Sequence, residues 1–589
     1  MVDGLRNFIA LQPIALAKSL FFIALVAAVG LLFAVEMQDF SLVFRGERRA
    51  LQAILATLPL VWLYIALATV MARPLAAAIA LLAGYVLSRM NEVKFAETGE
   101  PLVWSDISST ANLDVVLPYA SALDVGAISL AITAVTVSVL YFRRRCLRSS
   151  RHYFLTAVLL TPLVLHAPLS RSVEPVAQPM EVVLSKMGIR YLSFDWSLNV
   201  RYNGLFWHVL HTGRIALPDA ATEAEQKAYQ QAAGRSADPP SSVDEVIVIL
   251  CEACWHDTLH FTDNFQPLRD RGFQGFRAIS PVYGGRTVNA AFELITGLPA
   301  NGALNGVIYQ GYIDYIRSST DSYPAALVEN GWSTRAAHNN WAAFWRRDVM
   351  LPRLGFEDFL SLEDMAAKEE VWARDRILYD AVFDSRGTVP GPAFFFLTSI
   401  YGHGPYGEED DWGEAHFAYK MKRSIQDMTA FADRVLADNP DALILVLGDH
   451  KPSLGRYFHR HGILPRHYFL SVGESNRDYA LGFHADPAVV GDVPAYVYHA
   501  DAERRQALIE EMSGRPFYCL PEVLSRLYTG GSTPVLAYIR ESGVCAQFEP
   551  GEYKKRSQAF PDWLYHQALF APGERTDKRV SSGLNDLSD

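Results

Sequence analysis

Cysteine is scarce in this chain of 589 residues, which contains only five. So small a number excludes a scaffold built from disulfides. Cys519 and Cys545 could pair if their region lies outside the cytoplasm, but their spacing alone does not show whether they do. Cys251 and Cys254 form a single C-x-x-C without the second pair that a zinc ribbon needs. We therefore interpret Cys251 and Cys254 as residues packed at a strand end, rather than as a redox or zinc site.

Positive charge is also in short supply, since 53 Lys and Arg stand against 64 Asp and Glu, for a net charge of −11. No strongly basic segment offers the electrostatic footprint that DNA or RNA requires, so nucleic acid is excluded as an expected partner. Hydrophobic residues make up 50% of the chain, more than in most soluble enzymes of this length. The composition therefore indicates a membrane-embedded part beside a soluble one.

Long apolar runs are confined to the first 170 residues. A helix that spans a bilayer needs about 20 mostly apolar residues. Five segments are predicted to span the membrane: 14–35, 51–71, 74–88, 123–142 and 153–169. The first span is followed by others and has no convincing cleavage site, so we interpret it as an anchor rather than a removed signal peptide.

Arginine placement predicts how these spans are oriented. The strongest basic loop contains Arg143, Arg144, Arg145, Arg148 and Arg151, and the positive-inside rule places it in the cytoplasm. The N-terminus is then inside, and everything after residue 170 is outside. Three arginines in the first loop, at positions 45, 48 and 49, oppose this arrangement. We expect a multi-pass protein of a cell inner membrane, with its soluble half in the periplasm.

Composition divides the chain into four predicted parts. These are a transmembrane domain (1–170), a linker with helices (171–242), a catalytic domain (243–550) and a C-terminal extension (551–589) that we expect to be loosely held. Within the first part, segment 90–122 joins the third and fourth spans, either along the membrane interface or as an ordinary loop.

The soluble half contains three apolar runs typical of buried parallel strands: VIVILCEA (246–253), AFFFLTSI (393–400) and ALILVLGDH (442–450). Helical patterns such as residues 417–436 lie between them, so we predict an α/β fold on a mostly parallel sheet. Ligands bind at the carboxyl ends of such strands. Here those ends carry Glu252, Gly402-His403-Gly404 and Gly448-Asp449-His450.

Glu252, Asp449 and His450 together offer oxygen and imidazole ligands that suit a divalent ion such as Mn²⁺ or Zn²⁺. Acidic residues at strand ends are also frequent as caps or surface groups, and spacing alone does not separate these interpretations.

Thr287 follows Gly284-Gly285-Arg286 at the predicted start of a helix. Backbone N–H groups at such a position favour an anion, and a hydroxyl beside a metal ion becomes a nucleophile. The commoner role for a threonine here is that of a plain helix cap.

Five motifs occur in a specific order along the chain: Glu252, GGRTVNAAFELITGLP (284–299), HNNWAAFWRRD (338–348), GHGPY (402–406) and LGDH (447–450). This set resembles the lipoteichoic acid synthase and phosphoglycerol transferase group, in the sulfatase-like branch of the alkaline phosphatase superfamily. The resemblance extends to five spans and to Lys94…Glu100-Pro101-Leu102…Asp106, and covers most of residues 1–480. A formylglycine sulfatase is excluded, because the chain lacks the C-x-P-S-R motif.

The resemblance implies a sulfatase-like α/β domain outside the cytoplasm, joined to a multi-pass helical membrane domain. It also implies that Glu252, Thr287, Asp449 and His450 bind one divalent ion, usually Mn²⁺, with Zn²⁺ or Mg²⁺ as alternatives. Thr287 would be the nucleophile. Four residues would line the pocket for the transferred head group: His338, Trp345, Arg347 and His403. The chain departs from the family after Glu252, where Ala253 replaces the usual serine.

The function that this resemblance implies is transfer of phosphoglycerol from phosphatidylglycerol to a glycan hydroxyl through a phospho-threonine. A phosphoethanolamine transferase would use the same fold, metal and nucleophile. A metal-dependent phosphodiesterase or phosphatase would let water replace the acceptor. An inactive membrane scaffold that binds glycans or lipids is a further alternative. The identity of the acceptor and the oligomeric state are left open.

Overall fold

The computed structural model describes residues 19–33, 47–98, 101–109, 151–165, 217–233, 243–257, 263–304, 306–313, 315–365, 373–406, 412–469, 485–546 and 551–571, with parts of 180–213 and 476–481. The chain divides into two compact units, Met1–Ile215 and Ala216–Asp589.

The first unit is helical throughout its described residues. Its helices are Ser19–Phe33, Glu47–Ala56, Leu58–Leu67, Arg73–Thr98, Trp104–Ser109, Arg151–Val164, Trp196–Asn203 and Leu205–His211. Helix Leu58–Leu67 packs against both Arg73–Thr98 and Arg151–Val164. The hydroxyls of Tyr64 and Tyr153 lie 3.2 Å apart within this packing.

One helix among the described residues, Arg73–Phe95, is long and apolar enough to cross a membrane. Three other predicted spans coincide with shorter apolar helices: Ser19–Phe33, Leu58–Leu67 and Tyr153–Val164. The predicted span 123–142 lies outside the described residues. The arrangement of five spans therefore stays a prediction.

The segment predicted to link the third and fourth spans begins as helix. Helix Arg73–Thr98 continues ten residues beyond the predicted end at residue 88 and stops shortly before Pro101. Residues that precede a proline disfavour the helical conformation, which accounts for the end. Lys94 Nζ then lies 2.5 Å from Asp106 Oδ2, so two residues of the family-like motif form an ion pair across the turn.

The second unit is built on an eight-stranded sheet. Its strands are β1 (Glu245–Cys251), β2 (Gln274–Ile279), β3 (Ser333–His338), β4 (Asp358–Leu360), β5 (Ala393–Thr398), β6 (Leu443–Gly448), β7 (Asp492–Tyr498) and β8 (Arg515–Pro516). Their order across the sheet is β4-β3-β5-β1-β6-β7-β2-β8. Strand β7 runs antiparallel to both its neighbours, and the other described pairs are parallel. The predicted mostly parallel α/β sheet is confirmed.

The three central strands are those that the apolar runs predicted, and every residue of β1, β5 and β6 is buried. Pairing aligns Cys251 with Gly448, Leu250 with Thr398, and His338 with Thr398. Because these strands are parallel and in register, the residues that follow each of them meet at one edge of the sheet.

Helices surround this sheet. They are Glu223–Ala233, Gln266–Arg269, Thr287–Thr296, Ile308–Gly311, Tyr323–Glu329, Arg347–Arg353, Asp375–Arg386, Glu414–Asp438, Gly455–His461, Pro487–Val490, Ala502–Met512, Leu520–Leu524, Pro534–Ser542, Tyr553–Ser557 and Asp562–Tyr565. The longest, Glu414–Asp438, contains the predicted helix 417–436 and packs against Asp375–Arg386.

The described C-terminal residues are packed, contrary to the expectation of a loosely held extension. Tyr553, Leu564 and Tyr565 are at most 1% exposed, and Tyr565 donates to the carbonyl of Pro299 at 2.8 Å. Aromatic side chains between polar residues drive this docking, and the polar composition of the segment concealed them.

Two disulfides join cysteines of the second unit, Cys519–Cys545 and Cys251–Cys254. The first is the pair that the sequence left open. The second corrects our interpretation, because Cys251 and Cys254 are buried at the strand end as expected but are also bonded to each other.

Candidate metal centre

Three potential metal ligands meet at the carboxyl edge of the sheet. Glu252 follows β1, and Asp449 and His450 follow β6. One ligand atom from each lies within 4.8 Å of the others, and the three residues are 2%, 0% and 3% exposed. The structure therefore brings together the three residues that the sequence placed at two separate strand ends.

The ring orientation of His450 points to a cation. Its Nδ1 lies 2.9 Å from the carbonyl oxygen of Lys451, which only accepts, so Nδ1 carries the proton. The other ring nitrogen, Nε2, faces Asp449 Oδ2 at 3.2 Å and Glu252 Oε1 at 3.5 Å. Nε2 has no hydrogen-bond partner in the described part of the chain. Nε2 and the two carboxylates are thus turned towards one point, as the ligands of a bound cation are.

Backbone groups hold the carboxylates in place. The N–H groups of Ala253 and His450 both donate to Asp449 Oδ1 at 2.7 Å, which leaves Oδ2 to face the centre. The N–H of Glu252 donates to Ser399 Oγ at 3.0 Å. A side chain at Gly402 would place its Cβ 2.1 Å from the carbonyl oxygen of Glu252, so the backbone passes where only glycine fits.

Burial raises the pKa of Glu252 well above its usual range, and the neighbouring charge of Asp449 raises it further. No lysine or arginine forms a salt bridge with Glu252 among the described residues. The protein alone therefore disfavours the ionised form that it has buried here. Two carboxylates and an imidazole fit a divalent cation such as Mn²⁺ or Zn²⁺, which would supply the missing positive charge.

Thr287 completes this cluster as the first residue of helix Thr287–Thr296. Its hydroxyl donates to Asp449 Oδ2 at 2.6 Å and lies 3.3 Å from Glu252 Oε2. The helix cap is Arg286, in the left-handed conformation at φ 64°, and no side chain caps the helix. The Thr287 hydroxyl thus faces the carboxylates instead of serving as a helix cap.

Arg347 supplies a buried positive charge beside the cluster. It begins helix Arg347–Arg353, is 4% exposed, and donates to the carbonyl of Phe344 at 3.1 Å. Burial lowers the pKa of Arg347 to about 10, and the negative charges of Glu252 and Asp449 oppose the shift. Arg347 forms no salt bridge with any carboxylate that the structure describes. Such a guanidinium can bind the oxygens of a phosphate group.

Two histidines lie on this side of the cluster. His338 ends β3, and its Nδ1 donates to the carbonyl of Thr398 at 2.8 Å, so Nε2 is left as an acceptor. Within the described residues Nε2 of His338 has no partner. Burial and then the charge of Arg347 hold the pKa of His338 well below its usual range. Burial lowers the pKa of His403 to about 4, and its Nδ1 donates to the carbonyl of Gly404 at 2.6 Å. Both rings are therefore neutral near pH 7.

Trp345 is 7% exposed and adopts the left-handed conformation at φ 58°. Its ring packs edge-on against Phe344, with centroids 5.6 Å apart. This contact accounts for its burial, and its predicted place over a glyceryl group stays a prediction.

Three residues around the cluster and its two histidines were missed in the sequence analysis. Tyr309 is fully buried, its charge state affects the pKa of Arg347, and its hydroxyl has no partner among the described residues. Lys420 donates to the carbonyl of His403 at 2.6 Å. Asp375 accepts hydrogen bonds from segments beside both histidines. Lys420 was detectable as a charge on the apolar face of its helix, whereas Asp375 and Tyr309 gave no signal.

Comparison with known proteins finds a family model that covers this centre. Residues 246–471 match the sulfatase family model. That range contains Glu252, Thr287, Asp449 and His450.

A putative cyclic β-1,2-glucan modification protein of Rhizobium meliloti is 29% identical over 271 residues, which are 42% of this chain and 41% of the relative. The match thus spans less than half of that relative's length. Among solved structures, the Streptococcus pyogenes phosphoglycerol transferase GacH, in complex with sn-glycerol-1-phosphate, is 15% identical with a TM-score of 0.38, over 61% of this chain and 96% of that one. The lipooligosaccharide phosphoethanolamine transferase A of Neisseria meningitidis is 13% identical with a TM-score of 0.46, over 88% and 95%.

The family-model match covers the residues that the motif order singled out, so residues 246–471 are similar to a sulfatase domain.

Proposed function

We propose that this protein transfers a phosphoglycerol group from phosphatidylglycerol to a glycan hydroxyl, with Thr287 as the covalent nucleophile. The observation that carries the proposal is the 2.6 Å hydrogen bond from the Thr287 hydroxyl to Asp449 Oδ2, inside a cluster that also contains Glu252 and His450. A threonine buried against two carboxylates has no structural need for that arrangement, whereas a nucleophile does.

In the first step, the Thr287 hydroxyl passes its proton to Asp449 Oδ2 as its oxygen attacks the phosphorus of the lipid. The bond between phosphorus and the diacylglycerol oxygen breaks, and diacylglycerol leaves with a proton from solvent. A divalent ion held by Glu252, Thr287, Asp449 and His450, for which we propose Mn²⁺ ahead of Zn²⁺ or Mg²⁺, would make the hydroxyl more acidic and neutralise phosphate charge.

In the second step, an acceptor hydroxyl attacks the phospho-threonine, and the Thr287 oxygen leaves and takes back the proton held on Asp449 Oδ2. The neutral ring of His403 takes the acceptor proton, and the negative charge of a bound phosphate would raise its pKa from about 4. Arg347 binds phosphate oxygens in both steps, and its charge stabilises the negative charge that grows there. His338 and Trp345 are then left to contact the rest of the head group.

Two polar atoms beside Arg347 are the reason for placing glycerol ahead of ethanolamine as that head group. Glycerol hydroxyls would donate to His338 Nε2 and exchange a hydrogen bond with Tyr309, both of which lack partners among the described residues.

We propose an envelope glycan as the acceptor, which the name of the rhizobial relative supports. A membrane anchor would keep the centre near its lipid donor, so that the search for the donor is two-dimensional. We accordingly propose an inner-membrane location with the sulfatase-family domain in the periplasm.

The test is mass spectrometry of the full-length, Mn²⁺-loaded protein after brief exposure to phosphatidylglycerol or phosphatidylethanolamine vesicles. We expect the peptide that contains Thr287 to gain one esterified phosphoglycerol, and the Thr287→Ala protein to gain nothing. An ethanolamine adduct would support the rival transferase, and an unmodified peptide with both lipids would contradict the covalent mechanism. Release of glycerol phosphate at one rate, with or without glycan, would identify a hydrolase.

A further inference from the structure

Asp375 is a buried carboxylate that four hydrogen-bond donors surround. It is the first residue of helix Asp375–Arg386 and is 0% exposed. Its Oδ1 accepts from Asn339 Nδ2 at 3.0 Å and from the N–H groups of Ile400 at 3.1 Å and Tyr401 at 3.0 Å. Its Oδ2 accepts from Ser424 Oγ at 2.5 Å. No arginine, lysine or histidine forms a salt bridge with it in the described part of the chain.

These donors belong to the segments that carry the two pocket histidines. Asn339 directly follows His338, and Ile400-Tyr401 lead into His403. A single carboxylate oxygen therefore joins the end of strand β3 to the loop after strand β5. Ser424 adds the long helix Glu414–Asp438.

A carboxylate is an expensive way to fill this position if stability alone is required. Burial raises the pKa of Asp375, and only its hydrogen bonds oppose the shift. The four donors around it need an acceptor, but a neutral acceptor would satisfy them without the cost of burying a charge. The benefit of the charge is that its bonds are short, directional and shared between two loops.

We propose that Asp375 is a positioning residue, which sets the distance between His338 and His403 so that both contact the same head group. The ligand named in this inference rests on the proposed function, whereas the coupling between the two histidines does not.

The experiment measures binding of sn-glycerol phosphate, with inorganic phosphate as a second probe, to the full-length Mn²⁺-loaded protein by calorimetry. Asp375→Ala removes every acceptor and should weaken binding by about tenfold or more. Asp375→Asn keeps Oδ1 for three donors and can bond to Ser424 Oγ through its amide, so binding should stay within about threefold. Binding of Mn²⁺ should be unchanged in both variants.

A double-mutant cycle separates positioning from a general loss of stability. If Asp375 acts through the histidines, Asp375→Ala combined with His338→Ala and His403→Ala should bind as weakly as the two histidine substitutions alone. The matched control is Glu245→Ala, which also removes a buried, hydrogen-bonded carboxylate. Glu245 lies at the amino end of strand β1, whereas the pocket lies at the carboxyl end. The control substitution should lower the melting temperature and leave ligand binding unchanged.

Additive losses in that cycle, or wild-type affinity in Asp375→Ala, would overturn the inference. If Asp375→Ala does not fold, Asn339→Ala and Ser424→Ala remove single donors and should each weaken binding less than the pair together. A wild-type protein that binds phosphate but not glycerol phosphate would contradict the proposed head group, and the cycle would then be measured with phosphate. Failure to bind either anion would overturn both proposals.

Discussion

The two ends of strand β1 each carry a buried glutamate, and the protein treats them in opposite ways. At the amino end, Glu245 is 6% exposed and receives two hydrogen bonds of 2.6 Å from the guanidinium of Arg386. At the carboxyl end, Glu252 is 2% exposed and faces Asp449, His450 and the Thr287 hydroxyl, with no arginine or lysine in a salt bridge among the described residues.

The difference separates a carboxylate that stabilises the fold from one that the fold leaves unbalanced. A paired, hydrogen-bonded charge is tolerated in the interior, whereas an unpaired one raises the free energy of the folded protein. Because the carboxyl ends of parallel strands are where ligands bind, an unbalanced charge there indicates a bound cation.

The largest expected effect is the loss of activity at the carboxyl end. Thr287→Ala should lower kcat by about 10³-fold or more, because no other hydroxyl replaces the nucleophile. Thr287→Ser should retain part of the activity. Steady-state transfer from labelled phosphatidylglycerol measures both variants. Transfer at the wild-type rate by Thr287→Ala would show that the carboxyl end of the strand is not the active site.

At the amino end, Glu245→Ala should lower the free energy of unfolding by about 1–3 kcal/mol, because the Arg386 guanidinium then keeps only Asp438, at 3.4 Å, as an ionic partner. Urea denaturation measures this loss. Activity per folded molecule should be unchanged, since Glu245 lies at the far end of the strand from the metal cluster. A matching fall in kcat/KM would show that the two ends are coupled.

Glu252→Gln should raise the free energy of unfolding in the presence of a chelator, whereas Glu245→Ala should lower it. The raised pKa of Glu252 means that the metal-free protein loses stability as pH rises above the unfolded value of this carboxyl group. A neutral amide removes that loss of stability, so we expect the free energy of unfolding of the metal-free protein to rise by about 1–2 kcal/mol at pH 7.5. Added Mn²⁺ should then raise the melting temperature of the wild type only. A destabilised Glu252→Gln protein would contradict the unbalanced-charge interpretation.

The smallest effect concerns Glu293, a third buried carboxylate, on the helix of Thr287. Burial raises its pKa to about 8, and Ala300 N–H donates to its Oε1 at 2.8 Å. The folded protein keeps this proton while the unfolded chain loses it, so stability should fall between the unfolded pKa and pH 8. Glu293→Gln should flatten that fall and raise the melting temperature at pH 8 by ~1–4 °C. An unchanged pH profile by calorimetry would show that Glu293 is ionised in the folded state.

Much of the second unit followed from apolar runs. The three central strands lie within a few residues of the predicted 246–253, 393–400 and 442–450, because a strand buried on both faces must be continuously apolar. The remaining strands β2, β3, β4, β7 and β8 were not predicted. They are short, partly exposed or, in β7, interrupted by Pro494, so no continuous apolar run marks them.

The candidate centre was predicted through chain order and the family resemblance. Spacing alone left Thr287 open as a helix cap, and only the bond to Asp449 separates these interpretations. Asp375 could not have been found, because an aspartate at the start of a helix is usual and its buried partners lie far away in the chain.

The sequence by itself determined the membrane-like composition of the N-terminal region, the central strands and which side chains are candidates for a metal site, since periodicity and residue chemistry are local properties. Only the tertiary structure decided that Glu245 is paired while Glu252 is not. That difference depends on Arg386, which is remote in sequence and forms a salt bridge at one end of the strand, while no lysine or arginine forms one with Glu252 among the described residues.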